Sequence, residues 1–554
     1  MRLARLGSFH QSRLSFMRIL LRRMKAERWT FDRPLFDIDD NGVGTALYCA
    51  HTPERTYTLV AFAHDLPDDQ RSDRVIATAW DTTFTLHDGV PNDADIERLR
   101  AGVPLQEVGR VGATELTMSR ANKSVRLWDA VIDTLAAGDQ PEVDDLEEVG
   151  YLMRTTAVYG SGKFGAADRE QIHDRPELHA PFQVEMLTVY LIRAFVADLV
   201  EHLASLRAGQ PVSLEPDRRR RLGIGNSTGL GMAPFLLTHP RLIHQWIAAR
   251  EEAIRRVRSI ESTAPDKFAV FRSSVDGARR AMDTWGSQHP VQKAKLTDLR
   301  SDLDLLESRL ANHHPTEPWF WDDLVTWAME ALTTEGQELV ISLLLEPYAE
   351  LVDDLADEMS VDESRPIRID GHLTVAQARK QLEEQYAWAL AIDWSETSAD
   401  ARAWYVSEEK LEPRLGERHD EPIGDYEQPL QPGRDAHAFH ATLLGEADDA
   451  ALADVLRRFP EHRHVARRVA LIHDFPYAEI RDNTIDAAML PIDLLRAKLS
   501  FFGATRFDPR SDRWIRITMF QGAPYPSELA TADLDGWSYP PRPNPAKYKP
   551  LENK

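Results

Sequence analysis

The chain of 554 residues carries 66 Lys and Arg against 89 Asp and Glu, a formal net charge of −23, with 43% hydrophobic and 8% aromatic side chains. That length exceeds one ordinary core and predicts about two to four domains or one large core with insertions, and the apolar content excludes a disordered chain. The acidic balance excludes a surface built throughout for nucleic acid, which needs a basic face, and the single cysteine, Cys49, excludes a disulfide framework and a cysteine-rich zinc site.

Residues 2–28 repeat Leu3, Leu6, Leu14, Met17, Leu20, Leu21 and Met24 at helical spacing, with Arg5, Arg13, Arg18, Arg22 and Arg23 among them. This predicts a basic amphipathic helix in segment 1–30. In so acidic a chain it is expected to dock on its own protein or on a second copy rather than on a membrane, which makes it the expected route to a homo-oligomer. The most apolar run, 186–200, is shorter than the roughly 20 residues of a membrane span and is interrupted by Arg193 and Asp198. With no secretory signal pattern at the start, the expected location is cytoplasmic.

Within segment 31–92 the period changes to two. Thr45–Ala50 and Tyr57–His64 flank a turn at Thr52–Arg55, and Arg74–Leu86 forms a third run, together predicting an antiparallel meander. Asp37, Asp39, Asn41 and Gly42 match the first half of a calcium loop, but Tyr48 stands where the closing glutamate should be, so a turn is expected. Cys49 lies in the apolar run Ala46–Ala50 and reads as a small buried side chain rather than a nucleophile.

Segment 93–392 reads as a helical body. On a helix through Ser119–Trp128, Asn122, Lys123 and Arg126 would share a face and suit a carboxylate or phosphate. Acidic residues from Asp144 predict a helix start running to about Val158, stopped by the glycine-rich Tyr159–Gly165. Residues 181–206 form the most apolar helix, in which Arg193 needs an internal carboxylate or an anion-binding cavity. Further helical patterns cover 240–260, 291–312, 319–357, 374–392 and 447–458, with Leu296, Leu299, Leu303, Leu306 and Leu310 at coiled-coil-like spacing. A charged, proline-containing junction over 393–435 leads to a C-terminal α/β segment, 436–554, with a strand at Ile515–Met519 and a proline-rich tail. The expected fold is α+β and predominantly α-helical: a central helical body with small antiparallel β elements near the N- and C-terminal regions.

The candidate chemistry centres on Arg218–Phe235, where four arginines run into Gly223, Gly225, Gly229 and Gly231 around Asn226, Ser227 and Thr228. It is not a dinucleotide fingerprint, because Glu215–Arg221 before it is no buried strand and helices follow it. Gly160–Ser161–Gly162–Lys163–Phe164 lacks the spacing and the hydroxyl of a phosphate loop, and no complete serine-hydrolase elbow occurs. The two loops together still suit an anion. Lys163 or Tyr159 would carry a proton and Asn226 would polarise a carbonyl or carboxylate, while Ser161, Ser227, Thr228, Arg120, Lys123, Arg126 and Arg193 would bind the substrate. A lysine acting as base near neutral pH needs its pKa lowered by burial.

His437 and His440, His462 and His464, and His473 with Asp474 fit no metal-ligand frame, so no metal site is expected, and no motif specifies a cofactor. The sequence therefore favours an enzyme acting on a small carboxylated or phosphorylated metabolite, with no nucleic-acid or membrane partner. The alternative is a non-catalytic binding or assembly protein whose glycines serve helix packing.

Overall fold

The computed structural model describes residues 10–66, 80–102, 114–160, 172, 174–226, 240–284, 290–359, 368–394, 404–407, 413–415, 423–427, 431–478, 500–504, 506–511 and 514–539. Helix accounts for 54% and strand for 14% of the chain, and the β component is one large sheet rather than small flanking elements. Its strands are β1 (Thr30–Ile38), β2 (Gly44–His51), β3 (Thr56–Ala63), β4 (Thr82–Asp88), β5 (Glu115–Lys123), β6 (Tyr151–Gly160) and β7 (Gly223–Asn226). After β8 (Trp404–Ser407), β9 (Pro413–Leu415) and β10 (Ile423–Glu427), which make a separate three-stranded sheet, β11 (Arg506–Ser511) and β12 (Trp514–Met519) complete the large one. The order is β1-β2-β3-β4-β5-β6-β7-β12-β11. Every neighbouring pair is antiparallel except β6 and β7, which run parallel.

The β2–β3 hairpin forms where the alternating pattern places it. Thr52 closes the turn: its amide bonds the Arg55 carbonyl and its hydroxyl accepts from the Glu54 and Arg55 amides. The acidic half-loop before it is the β1–β2 turn, with Asp39 Oδ1 accepting from the Asn41 and Val43 amides. Two strands overturn helical expectations. The helix begun by the acidic run, α4 (Val143–Val149), stops at Gly150 with φ 77°, and β6 replaces its expected second half. Ser119–Lys123 belongs to β5, so Asn122, Lys123 and Arg126 do not share a helix face.

Helix α5 (Gln183–Ala208) is the axis of the molecule, and its residues Gln183–Ala197 are buried without exception. Its Phe195 meets Tyr48 of β2 and Phe84 of β4, and Thr188 bonds Thr117 of β5 at 2.7 Å, so one face of the sheet wraps the helix. A helix enclosed in this way needs apolar residues all round, and each fully buried Leu, Val or Phe contributes about 1.5–3 kcal/mol. The other sheet face packs Leu47, Val60 and Phe62 under Ile96 and Leu99 of α2 (Asp93–Gly102).

Within the expected helix over 2–28, residues 10–15 are not helical and Phe16–Ala26 form the helix α1, which docks on its own chain. Phe16, Met17, Arg18, Ile19, Leu20, Leu21 and Met24 are all buried against the rest of the chain. The Arg18 guanidinium donates to both Glu346 oxygens, at 2.7 and 2.6 Å, and to Asp535 at 2.5 Å. His10 meets the same Glu346 at 2.9 Å, and Arg13 bridges Glu346 and Asp353. This buried hub joins the N-terminus, the helical body and the C-terminal segment.

The main core runs from Leu14 to Met359 and takes in Phe501–Trp537, with Leu296, Leu299, Leu303, Leu306 and Leu310 of helix Pro290–Asn312 inside it and Leu305 exposed. A second core lies between Val375 and Ile472. The two apolar cores divide between residues 359 and 375.

Candidate functional site

Of the glycine-rich stretch, the residues up to Asn226 are described, and they form a short helix and a strand. Pro216–Arg220 form the short helix α6, and Gly223–Asn226 are strand β7, held between β6 and β12. Two of the glycines are explained by packing. A Cβ at Gly223 would sit 2.3 Å from the Met519 carbonyl oxygen, and one at Gly225 would sit 2.7 Å from the Tyr151 ring. The four arginines are engaged on the surface: Arg218 with Glu215, Arg219 with Asp198, Arg220 with Glu528, and Arg221 with Glu147 and Asp217.

Asn226 ends β7 level with Thr155 of the parallel β6 and Ile517 of β12. Thr155 is level with Ala121 of β5, which is level with Thr82 of β4. A single row, Asn226–Thr155–Ala121–Thr82, therefore crosses four strands, with Arg120 and Lys123 within two residues of it. Tyr159 lies four residues past Thr155 and pairs with Met118, roughly 13 Å further along the sheet at about 3.3 Å per residue. Ser161, Lys163, Ser227 and Thr228 fall outside the described residues.

The cations near this row have local contacts. The Arg120 guanidinium lies 4.5 Å from the Trp80 ring centre. The Lys123 ammonium is 3.8 Å from Asp81 and 5.4 Å from the Trp128 ring, while its amide donates to Asp81 at 2.9 Å. The Asn122 side chain accepts from the Asp81 amide at 2.9 Å. Arg126 is exposed in the turn before α3 (Trp128–Ala136).

Among the described residues, the hydrogen-bond partners of Arg193 are backbone carbonyls rather than a carboxylate. Its Nε donates to the Leu222 carbonyl at 2.7 Å, and Nη1 and Nη2 donate to the carbonyls of Ala523 and Arg220 at 2.8 and 3.3 Å. The Tyr525 ring lies 3.9 Å from its guanidinium carbon. Burial lowers its pKa, and carbonyl dipoles with a π-face hold the charge in place of an anion. The expectation of a carboxylate partner fails because the backbone ends around α6 and β12 supply enough acceptors.

A cluster that sequence reading missed lies on β1 and β2. Asp32 pairs across the strands with Cys49, and His51 follows two residues later on β2. Their ligand atoms all lie within 4.8 Å of one another. His51 Nε2 is 3.2 Å from Asp32, and Nδ1 is 2.9 Å from the Thr56 hydroxyl. Cys49 Sγ is 3.4 Å from the Thr58 hydroxyl, which itself donates to the Gly89 carbonyl. Burial pushes the Cys49 thiol up to about 11. With the imidazole bonded to Asp32 and Thr56 rather than to the sulfur, the trio does not make an activated thiol nucleophile. The one signal in the sequence was the i, i+2 spacing of Cys49 and His51; Asp32 joins them only through strand pairing.

The histidines at helix ends are accounted for locally: His440 meets Glu383, His462 meets the Thr442 hydroxyl, and His464 meets Asp435. Among the described residues no helix is long and apolar enough to cross a membrane. No protein-family model, curated protein or solved structure matches the chain.

Proposed function

We propose that the chain is an enzyme acting on a small carboxylated or phosphorylated molecule held beside the carboxyl ends of β6 and β7. The supporting observation is the parallel pairing that sets Asn226 level with Thr155, with Arg120 and Lys123 nearby on β5. In open α/β sheets ligands bind beyond the carboxyl ends of the strands, and β6 and β7 are the parallel pair among the described strands to which that geometry can apply. In this reading the Asn226 amide polarises the substrate carbonyl or carboxylate, and Lys163 or Tyr159 moves the proton. Ser161, Ser227 and Thr228 donate hydrogen bonds, and Arg120, Lys123 and Arg126 supply positive charge. Arg193 has no part in it, since it is buried and its Nε, Nη1 and Nη2 each donate to a backbone carbonyl.

A second reading has its own support: the space at Gly223 and Gly225 is filled by Met519 and Tyr151, as in a non-catalytic protein whose glycines serve packing. A thermal-shift screen with organic acids, nucleotides and flavins separates the two. A true ligand at 100 times its Kd stabilises by about 2.7 kcal/mol. The enzyme reading expects such a shift in the wild type and its loss in Asn226→Ala and Lys163→Ala, with the unliganded melting temperature little changed. If both variants merely melt lower and no compound shifts the wild type, the packing reading stands.

A further inference from the structure

We infer that Asp32, Cys49 and His51 form a binding site for one borderline divalent transition metal of the zinc class, on the outer face of β1 and β2. Strand register builds the site. Asp32 and Cys49 are direct cross-strand neighbours, and Cys49 and His51, two apart on one strand, project to the same face. The register of β1 shifts immediately after Asp32, and bulges of this kind re-aim side chains at sheet edges.

Geometry and chemistry select the ion. The three ligand atoms lie within 4.8 Å of one another. A tetrahedral zinc with bonds of about 2.0–2.3 Å holds its ligand atoms roughly 3.3–3.8 Å apart, so closure asks about an ångström of movement. The Asp32 side chain, 59% exposed, is free to make it. Thiolate, imidazole and carboxylate together disfavour calcium and magnesium, which take oxygen, and suit zinc or cobalt. Thiolate and carboxylate also neutralise the divalent charge. His51 is already oriented: the Thr56 hydroxyl engages Nδ1 and leaves Nε2 towards Asp32, as outer partners do for metal-bound histidines. On binding, the Cys49 S–H bond gives way to a sulfur–metal bond and the proton leaves to solvent. Three protein ligands and an exposed carboxylate leave the fourth position to water. The site lies four strands from β6 and does not depend on the reading of β6 and β7.

The test is titration of the metal-free full-length protein with Co²⁺, read by thiolate-to-cobalt charge-transfer absorption, followed by displacement with Zn²⁺. One ion per chain is expected, with the band lost in Cys49→Ala and binding lost in His51→Ala. Asp32→Asn should weaken binding at least tenfold, and Thr56→Val by about 10- to 100-fold through the loss of orientation. Circular dichroism checks that each variant folds; if Cys49→Ala does not, His51→Gln at the partly exposed ligand gives the same reading. Absence of a thiolate–cobalt band in the wild type, or zinc binding of unchanged stoichiometry and affinity in Cys49→Ala and His51→Gln, would overturn the proposal.

Discussion

Arg18 and Arg193 are both sealed within the main core, at 1% and 2% exposure, and they are satisfied in opposite ways. Around Arg18, burial opposes the charge, but Glu346 and Asp535 outweigh it and raise the guanidinium's pKa; the same contacts carry Glu346 well below its usual value despite its own burial. Around Arg193 burial prevails and the pKa falls, because the partners are carbonyl dipoles and the Tyr525 ring. Both sites tie the segment 520–539 to the body of the molecule, one through Asp535 and the other through Ala523. The contrast shows that a buried guanidinium can be held by counter-charges with one carbonyl, as Arg18 is, or by carbonyls and a π-face, as Arg193 is. The Glu346 hub is a network of full charges, so losing one member strands others; the Arg193 cage is a set of neutral carbonyl acceptors, and losing its donor leaves no charge uncompensated.

The largest expected effect follows from that asymmetry. Glu346→Gln leaves Arg18, Arg13 and His10 around a neutral amide and should cost about 3–5 kcal/mol, measured as a lowered denaturation midpoint. Arg193→Met, which keeps volume and removes the charge, should cost less, about 1–3 kcal/mol in all at about 0.5–1.5 for each of the hydrogen bonds to the Leu222 and Ala523 carbonyls, since the Arg220 carbonyl still accepts from the Gly522 amide. Equal losses in the two variants would break the comparison.

A smaller effect appears with pH. Burial lowers the His10 pKa, against the pull of Glu346 and Asp535 and with the push of Arg18. The unfolded chain therefore binds the proton first, and stability present above about pH 6.5 declines as pH falls below it. Glu346 and Asp535, with lowered pKa values, add a second decline once the unfolded carboxylates protonate, below about pH 4.5. His10→Asn should remove the upper part of the decline and leave the lower part, in melting temperatures taken from pH 8 to 4, whereas Arg193→Met should leave the shape of the profile unchanged.

Some of this architecture was legible in the residues. The run from Val184 to Ala197 is apolar nearly all round, Glu185, Thr188 and Arg193 excepted, because α5 is enclosed on every side. Alternation at Thr45–Ala50 and Tyr57–His64 marked the central hairpin, and Ile517 and Met519 marked β12. The misreadings share a cause. Acids from Asp144 begin a helix correctly, but only Gly150 in a left-handed conformation, and the β5 strand waiting beside it, turn the next ten residues into β6. Likewise Gly223–Asn226 is too short to announce itself as a strand. It becomes one because β6 and β12 offer their edges.

The same division holds for the candidate sites. Composition and local pattern settled what lies within a few residues: the acidic surface, the enclosed helix, the hairpin turn at Thr52 and the presence of Asn226 in a glycine-rich stretch. Tertiary structure alone decided that Arg193 answers to carbonyls from residues 27 to 330 positions away, that Asp32 meets Cys49 and His51, and that Asn226 stands level with Thr155. Helical periodicity and turn chemistry are local and can be read along the chain. Strand partnership and the neutralisation of a buried charge depend on groups distant in sequence, and are decided only when the sheet closes around α5.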